Sequence, residues 1–264
     1  MAITTQDGLI SARANKRQSF AFSRTSIANM AAGQVCSLYR STGGPPTQPA
    51  IPTTAAIPTK TLSLNFNNAT SPDKTYLDYT AAVSTASCVL WTYDRLFHIG
   101  GFSGIVTTAQ TVNSQSTLTF PARGGATAGE VEWFLEWYAD TGATAVTANV
   151  AVTYTDATTG TVAVALAATM RAGRLLQIPP VQGKVIASVQ SVTLSATTGT
   201  AGNFGVTCGE RCAGCALYLG TANIGVEKEA VLCNIPDDGC FWHVALCTTT
   251  STGDIRGEFT LLQG

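Results

Sequence analysis

Charge is scarce in this chain: of 264 residues only 12% are Asp, Glu, Lys or Arg, and histidine occurs twice. Acid–base and metal-assisted chemistry gather such groups around a pocket, and no such gathering is legible here. The patterns GxxxxGK(S/T), GxSxG and HExxH and the dinucleotide-binding glycines are absent as well. No enzymatic activity, cofactor or metal is therefore expected. No apolar window approaches the roughly 20 residues that cross a bilayer. The start, Met1 to Asp7, lacks the charged and apolar regions of a secretory leader. A soluble chain made in the cytoplasm, without a membrane partner, is expected. A formal net charge of −1 gives no general pull toward phosphate, so nucleic acid is not expected as a partner either.

What charge there is lies unevenly. Residues 1–60 hold six basic side chains, Arg13, Lys16, Arg17, Arg24, Arg40 and Lys60, against the single acid Asp7. Pro45, Pro46, Pro49, Pro52 and Pro58 with Gly43 and Gly44 break regular structure between 41 and 60. This reads as a basic, extended N-terminal arm and linker over 1–60, joined near Lys60 to a body over 61–264. Ser26 is placed to cap a short helix through Ala32, ended by Gly33. Arg13, Lys16, Arg17 and Arg24 would steer the arm to a partner and Phe20, Phe22 and Ile27 would anchor it.

Past Lys60 the apolar period is close to two. Val131, Trp133, Leu135 and Trp137 alternate with Glu130, Glu132 and Glu136, and Val146 through Tyr154 alternate with small polar residues. Further runs lie at 62–66, 161–168, 185–196, 203–208, 216–220, 241–247 and 255–262, separated by turn clusters such as 156–160 and 197–202. Many short strands with polar turns give an all-β body, a sandwich or barrel. Its polar faces are rich in Thr, Ala and Ser and poor in Lys, which points to surface covered by partners.

The chain has eight cysteines, six of them within a Cys-rich excursion about 205–250: Cys208, Cys212, Cys215, Cys233, Cys240 and Cys247. Three readings stay open: disulfides formed after release into an oxidising medium, a zinc knuckle built on Cys212 and Cys215 with Cys208 and either Cys233 or Cys240, or buried thiols acting as small apolar groups. His98 and His243 read as structural. Asp237-Asp238-Gly239 reads as a turn rather than a calcium loop, and Glu130, Glu132 and Glu136 as a solvated or inter-subunit stripe rather than a glycosidase pair.

Residues 88–104 contain Trp91-Thr-Tyr93-Asp94-Arg95-Leu-Phe-His98-Ile-Gly100-Gly101-Phe-Ser-Gly, followed by Thr107-Thr-Ala-Gln-Thr-Val-Asn113. This stretch resembles a group of β-rich virion structural proteins of tailed bacteriophages that includes capsid cement or decoration subunits. The resemblance implies a jelly-roll or β-sandwich domain on the outside of the phage head that locks neighbouring major capsid subunits together without catalysis. The expected partners are the major capsid protein and further copies of the chain, with a trimer as the symmetry considered. In the residues themselves, Trp91, Tyr93 and Arg95 alternate against Thr92 and Asp94, so Asp94 and Arg95 lie on opposite faces, each free to fix a different neighbour. The Gly100-Gly101 pair is expected to end the strand in a turn that needs unusual backbone freedom. Two other roles fit the composition: a tail, neck or fibre-attachment component, and a carbohydrate-binding β-sandwich that exposes Trp133, Trp137 or Tyr138.

Overall fold

A computed structural model describes residues 3–47, 49–112, 118–200, 202–220, 223–227 and 233–264, with side chains except those of 62 and 223–227. Among the described residues the chain is all-β, with one α-helix of ten residues and a few single 3-10 turns. In chain order the elements are α1 (Gln6–Asn15), β1 (Arg17–Arg24), β2 (Val35–Ser37), β3 (Gly43–Gly44), β4 (Thr75–Ser84), β5 (Cys88–Ser103), β6 (Gln110–Thr111), β7 (Val131–Trp137), β8 (Val146–Tyr154), β9 (Thr159–Leu166), β10 (Arg174–Gln177), β11 (Ile186–Leu194), β12 (Asn203–Leu217), β13 (Asn223–Glu227), β14 (Cys233–Ile235), β15 (Phe241–Cys247) and β16 (Ile255–Gln263). Among the described residues no helix is long and apolar enough to cross a membrane.

The long strands β5 and β12 form an antiparallel ribbon from Cys88↔Leu217 to Ser103↔Asn203, bent at three register shifts. Around the ribbon, β5, β15, β2, β10, β7 and β12 pair in sequence and close into a six-stranded antiparallel ring. Period-two alternation then gives every ring strand an inward and an outward face. Tyr93, Phe134, Leu175, Trp242 and Val244 fill the inside, together with Tyr39 from the turn after β2. The outward face carries two separate cores. One end, with Phe97, Trp133, Trp137, Phe204 and Val206, is covered by the antiparallel sheet β6-β11-β8-β9, which contributes Val150, Val164 and Val192. The other end, with Leu90, Cys215, Leu217, Phe241 and Ala245, is covered by β1, β16 and β4 through Phe22, Phe259, Leu261 and Leu77.

The expected arm is not separate from the body. β1 pairs with β16 residue for residue, from Arg17↔Leu262 to Arg24↔Ile255, and Phe22, Ile27, Met30, Cys36 and Leu38 are buried in the second core. Alternating apolar residues in this segment serve this chain's own sheet, which a tail bound elsewhere would not require. The helix also lies earlier than expected. Thr5 caps it, its hydroxyl accepting from Gly8 N at 3.0 Å, whereas 26–32 is irregular, with Ala28 bridged to Ser251.

The proline-rich linker likewise packs on the body. Ala56 exchanges backbone hydrogen bonds with His98 at 3.0 and 2.9 Å, and Pro52 O accepts from Gly100 N, so the segment lines β5 where β15 has ended. Lys60, the expected boundary, is buried and donates to Phe66 O. The run at 62–66 is not a strand, and 216–220 takes in the end of β12 and the residues just beyond it. Strands β1 and β4 escaped the periodicity reading.

A chain lacking residues 1–40 is expected to lose the cooperative urea transition of the full chain, and Phe22→Ala to cost about 3–5 kcal/mol. Far-UV circular dichroism against urea checks both; an undiminished transition in the truncated chain would show that β1 contributes little.

Candidate functional site

Tyr93, Asp94 and Arg95 are each held by a different partner. The Tyr93 hydroxyl donates to Glu132 at 2.8 Å. On the opposite face the Asp94 carboxylate accepts two bonds from Arg123, at 3.0 and 2.5 Å, and one from Cys240 N at 2.7 Å. Arg95 turns inward, wholly buried, donates to the Glu136 carboxylate and to Thr207 Oγ1, and lies over the rings of Trp242 and Tyr39 at 4.9 and 5.5 Å. A buried guanidinium is tolerated only with a counter-charge and further contacts, and the ring supplies both.

Glu136 is shared. Arg40 Nε lies 3.6 Å from it and His98 Nε2 3.9 Å, while His98 exchanges a 2.7 Å hydrogen bond with the Tyr138 hydroxyl. Burial, then the charges of Arg95 and Arg40, hold the His98 pKa well below its ordinary value, so the ring is neutral. Burial and the nearby Glu136 raise the Tyr138 pKa. The His98 ring and the Tyr138 hydroxyl therefore both stay neutral near pH 7, and their hydrogen bond fixes geometry.

Glu136, expected on a solvated or inter-subunit stripe, is buried inside the ring, and Glu132, on the same side of β7, is half-buried against the Tyr93 hydroxyl, because the alternation that sends Trp133 and Trp137 into the first core turns the carboxylates to the strand's other face. Both Trp residues are buried, at 4% and 0% exposure, which removes the sugar platform they were to provide. Trp91 is half-buried under the Arg211 guanidinium at 5.7 Å. The Gly100-Gly101 pair sits within β5 rather than ending it. A Cβ on Gly100 would meet Ile51 at 2.2 Å, and Gly101 has φ +84°, so the proline-rich segment docks where no side chain intervenes. Gln110 closes the following loop by bonding both Ser103 N and Ser103 O. Asn113 lies outside the described residues.

The residues expected to grip a partner are engaged within the chain. Arg13 holds the buried Asp78 at 2.5 Å, Lys16 pairs with Asp73, and Arg17 reaches Tyr79 and Glu258 at 2.9 and 3.9 Å. Phe20 stacks on Phe259 at 5.6 Å, and Phe22, Arg24 and Ile27 are buried. Their acidic partners are more than fifty residues away, so composition alone showed excess charge where the fold has pairs.

The cysteines are eight free, buried thiols. The Cys36 and Cys247 sulfurs lie 4.0 Å apart, twice the length of a disulfide bond, and Cys212 is hydrogen-bonded to Cys233. Cys208 belongs to the first core and Cys212, Cys215 and Cys233 to the second, so the knuckle set does not converge on one point; of the six cysteines expected in an excursion, all except Cys240 lie on strands. Burial pushes the Cys88 thiol up to about 12 and Cys215 to about 11, keeping them protonated and unreactive. The Asp237–Gly239 segment is a turn closed by Gly239 N donating to Pro236 O.

One surface remains without internal use. Strands β6, β8, β9 and β11 contain no Asp, Glu, Lys or Arg in their entire length. Their inward residues are valines and other apolar groups, and their outward face presents Thr147, Asn149, Thr161, Ala163, Ser191 and Thr193. The Lys184–Asp156 ion pair, 2.6 Å, sits at the turn beyond the strands. Soluble proteins normally place charge on such a face; a flat, charge-free sheet of short side chains can be covered without desolvating an ion.

No family model matches the chain, and no curated protein matches it. One solved structure, described as that of infectious bursal disease virus Gx strain, aligns at 11% identity over 94% of this chain and 65% of that chain, with a TM-score of 0.17. This chain thus spans under two thirds of that one, and the likeness carries no argument about fold or role.

The buried groups set two outcomes. Denaturant without reductant is expected to expose eight thiols to an Ellman-type reagent, and native protein almost none; fewer than eight would reveal a disulfide. His243, pulled down to about 3 by burial and by Arg24, stays neutral in the fold and takes up a proton only on unfolding once pH drops below about 6.5. Stability should therefore fall from pH 6.5 toward 3, by up to about 1.4 kcal/mol per pH unit from this residue. His243→Gln should flatten that slope in urea midpoints measured against pH; an unchanged slope would place the titration elsewhere.

Proposed function

We propose that this chain is a non-enzymatic structural component of a tailed-bacteriophage particle that binds the outside of the capsid and stabilises contacts between major capsid subunits. The observation that carries the reading is the charge-free outer face of the β6-β11-β8-β9 sheet. The resemblance over Trp91 to Asn113 supplies the setting. Its β5 residues Trp91, Tyr93, Asp94, Arg95 and His98 are engaged within the chain, which accords with a scaffold role for that part of the motif.

Such a subunit acts through binding energy. Contacts spread over two capsid subunits must all break before either leaves, so each bound copy raises the barrier to loss of a subunit under outward pressure. With the N-terminal residues folded into the body, the sheet takes over the capsid contact first assigned to an arm. The partners under this reading are the major capsid protein and other copies of the chain.

Mixing the protein with expanded, undecorated heads and imaging them by electron cryo-microscopy tests this directly. Ordered density at capsomer boundaries is expected, with the β8 face toward the shell. Asn149→Lys, which puts a charge in mid-face, should lower occupancy roughly tenfold or more while leaving the circular dichroism unchanged. Bare shells would refute the capsid role, and density confined to the neck or tail would place the protein there instead.

A further inference from the structure

Most sheet margins of this fold are protected. β3 and β6 are two residues long and β14 three, too short to template a strand, and the ring has no margin at all. The outer edge of β1 carries Arg17, is overlain at its far end by β3, and has Gln18 tied to the backbone of Asn67 through both its amide atoms. β9 is different. It spans eight residues, Thr159-Gly-Thr-Val-Ala-Val-Ala-Leu166, pairs only with β8 among the described residues, and has no charge, no proline and no register shift.

The phase of its hydrogen bonds can be read from the turn. Tyr154 N donates to Thr158 O, and Ala157, at φ +63°, forms the bulge beside it. The pairs Val152↔Gly160, Val150↔Val162 and Ala148↔Val164 therefore exchange the ladder bonds with β8. The N–H and C=O groups of Thr159, Thr161, Ala163 and Ala165 point the other way, off the edge of the sheet. That is a row of four donors and four acceptors at the spacing of an antiparallel partner.

We propose that β9 pairs with β9 of a second copy, antiparallel across a two-fold axis, to join two four-stranded sheets into one of eight. The strand suits itself as a partner. With the axis at Ala163, Val162 of one copy lies opposite Val164 of the other on the core side, and Thr161 opposite Ala165 on the outer side. A two-fold contact repeats each pairing twice, and because no charged residue occurs between 159 and 166, no like charges are brought together. A different protein's strand would need a matching sequence; a second copy has it by construction. One strand pair buries less than the area of about 1,200–2,000 Å² typical of stable complexes, so the contact is weak in dilute solution and gains from copies held side by side on a surface.

This deepens the assembly part of the function proposed above, and it is tested separately from it. Sedimentation equilibrium of the full chain over a wide concentration range should show a monomer–dimer equilibrium. Ala163→Pro removes an N–H that points off the sheet and leaves the β8 ladder intact; it should raise the dissociation constant at least about tenfold with unchanged circular dichroism. Should that variant misfold, Ala163→Lys, which places like charges side by side at the axis on the exposed face, serves the same purpose. As a positive test, Ala163→Cys should be captured as a dimer by a short thiol-reactive cross-linker, the native thiols being buried. A monomer at every concentration, or a dimer indifferent to both substitutions, would overturn the β9 contact. On phage heads the two ideas part: wild-type binding with adjacent copies unpaired at β9 defeats this contact alone, whereas a β9 dimer that leaves shells bare defeats the capsid role alone.

Discussion

Arg95 and Glu136 meet inside a closed ring of strands, and the requirements of that meeting shape the geometry of the rest. Arg95 stands on β5 and Glu136 on β7, strands joined through β12, whose Thr207 accepts from Arg95. For both charges to face inward, all three strands must keep one register, and that register turns Phe97, Trp133 and Phe204 outward into one apolar core. Removing one member of such a buried pair strands the other, a loss of roughly 3–5 kcal/mol in comparable cases. The polar centre thus acts as a key to alignment, and the two apolar cores contribute most of the burial.

The ribbon of β5 and β12 extends past the ring's charged centre and serves the second core at its other end. There the closing sheet joins the two extremes of the described chain, β1 beside β16. That sheet cannot be completed until both strands exist, so much of the second core depends on pairings between residues more than two hundred positions apart, the kind that form slowly. The ring and the β6-β11-β8-β9 sheet, whose strands all lie between residues 35 and 247, do not wait on β16.

Strands with one buried face were legible from sequence. β8 and β9 show clean alternation of burial because one side meets a core and the other faces outward, whereas β7 and β15 carry large apolar groups on both faces. β4 reads Thr-Tyr-Leu-Asp-Tyr-Thr, buried on both sides over its first four residues, and its alternation is blurred. The basic N-terminal segment misled for a different reason. Asp73, Asp78 and Glu258, which neutralise Arg13, Lys16 and Arg17, are near only in space, and no count of local charge contains them. The cysteines misled because their spacing resembled ligand and disulfide patterns while their strand positions made them core residues. The uncharged sheet face was legible as composition, rich in Thr and poor in Lys; that it is one continuous surface with an open margin required the strand order.

The pairing of β1 with β16 also has a mechanical side. Arg17 lies opposite Leu262, and Gln263 N donates to Lys16 O, so the chain enters and leaves this sheet at the same end. A pull applied through the residues before β1 and after β16 loads the hydrogen bonds of that pair one at a time, in the manner of a zipper, and the strands peel at low force. The same bonds loaded along the strands would bear the pull together and yield only at a much higher one. Force is therefore resisted better when it reaches this fold through its broad sheet faces than through the segments that flank this strand pair.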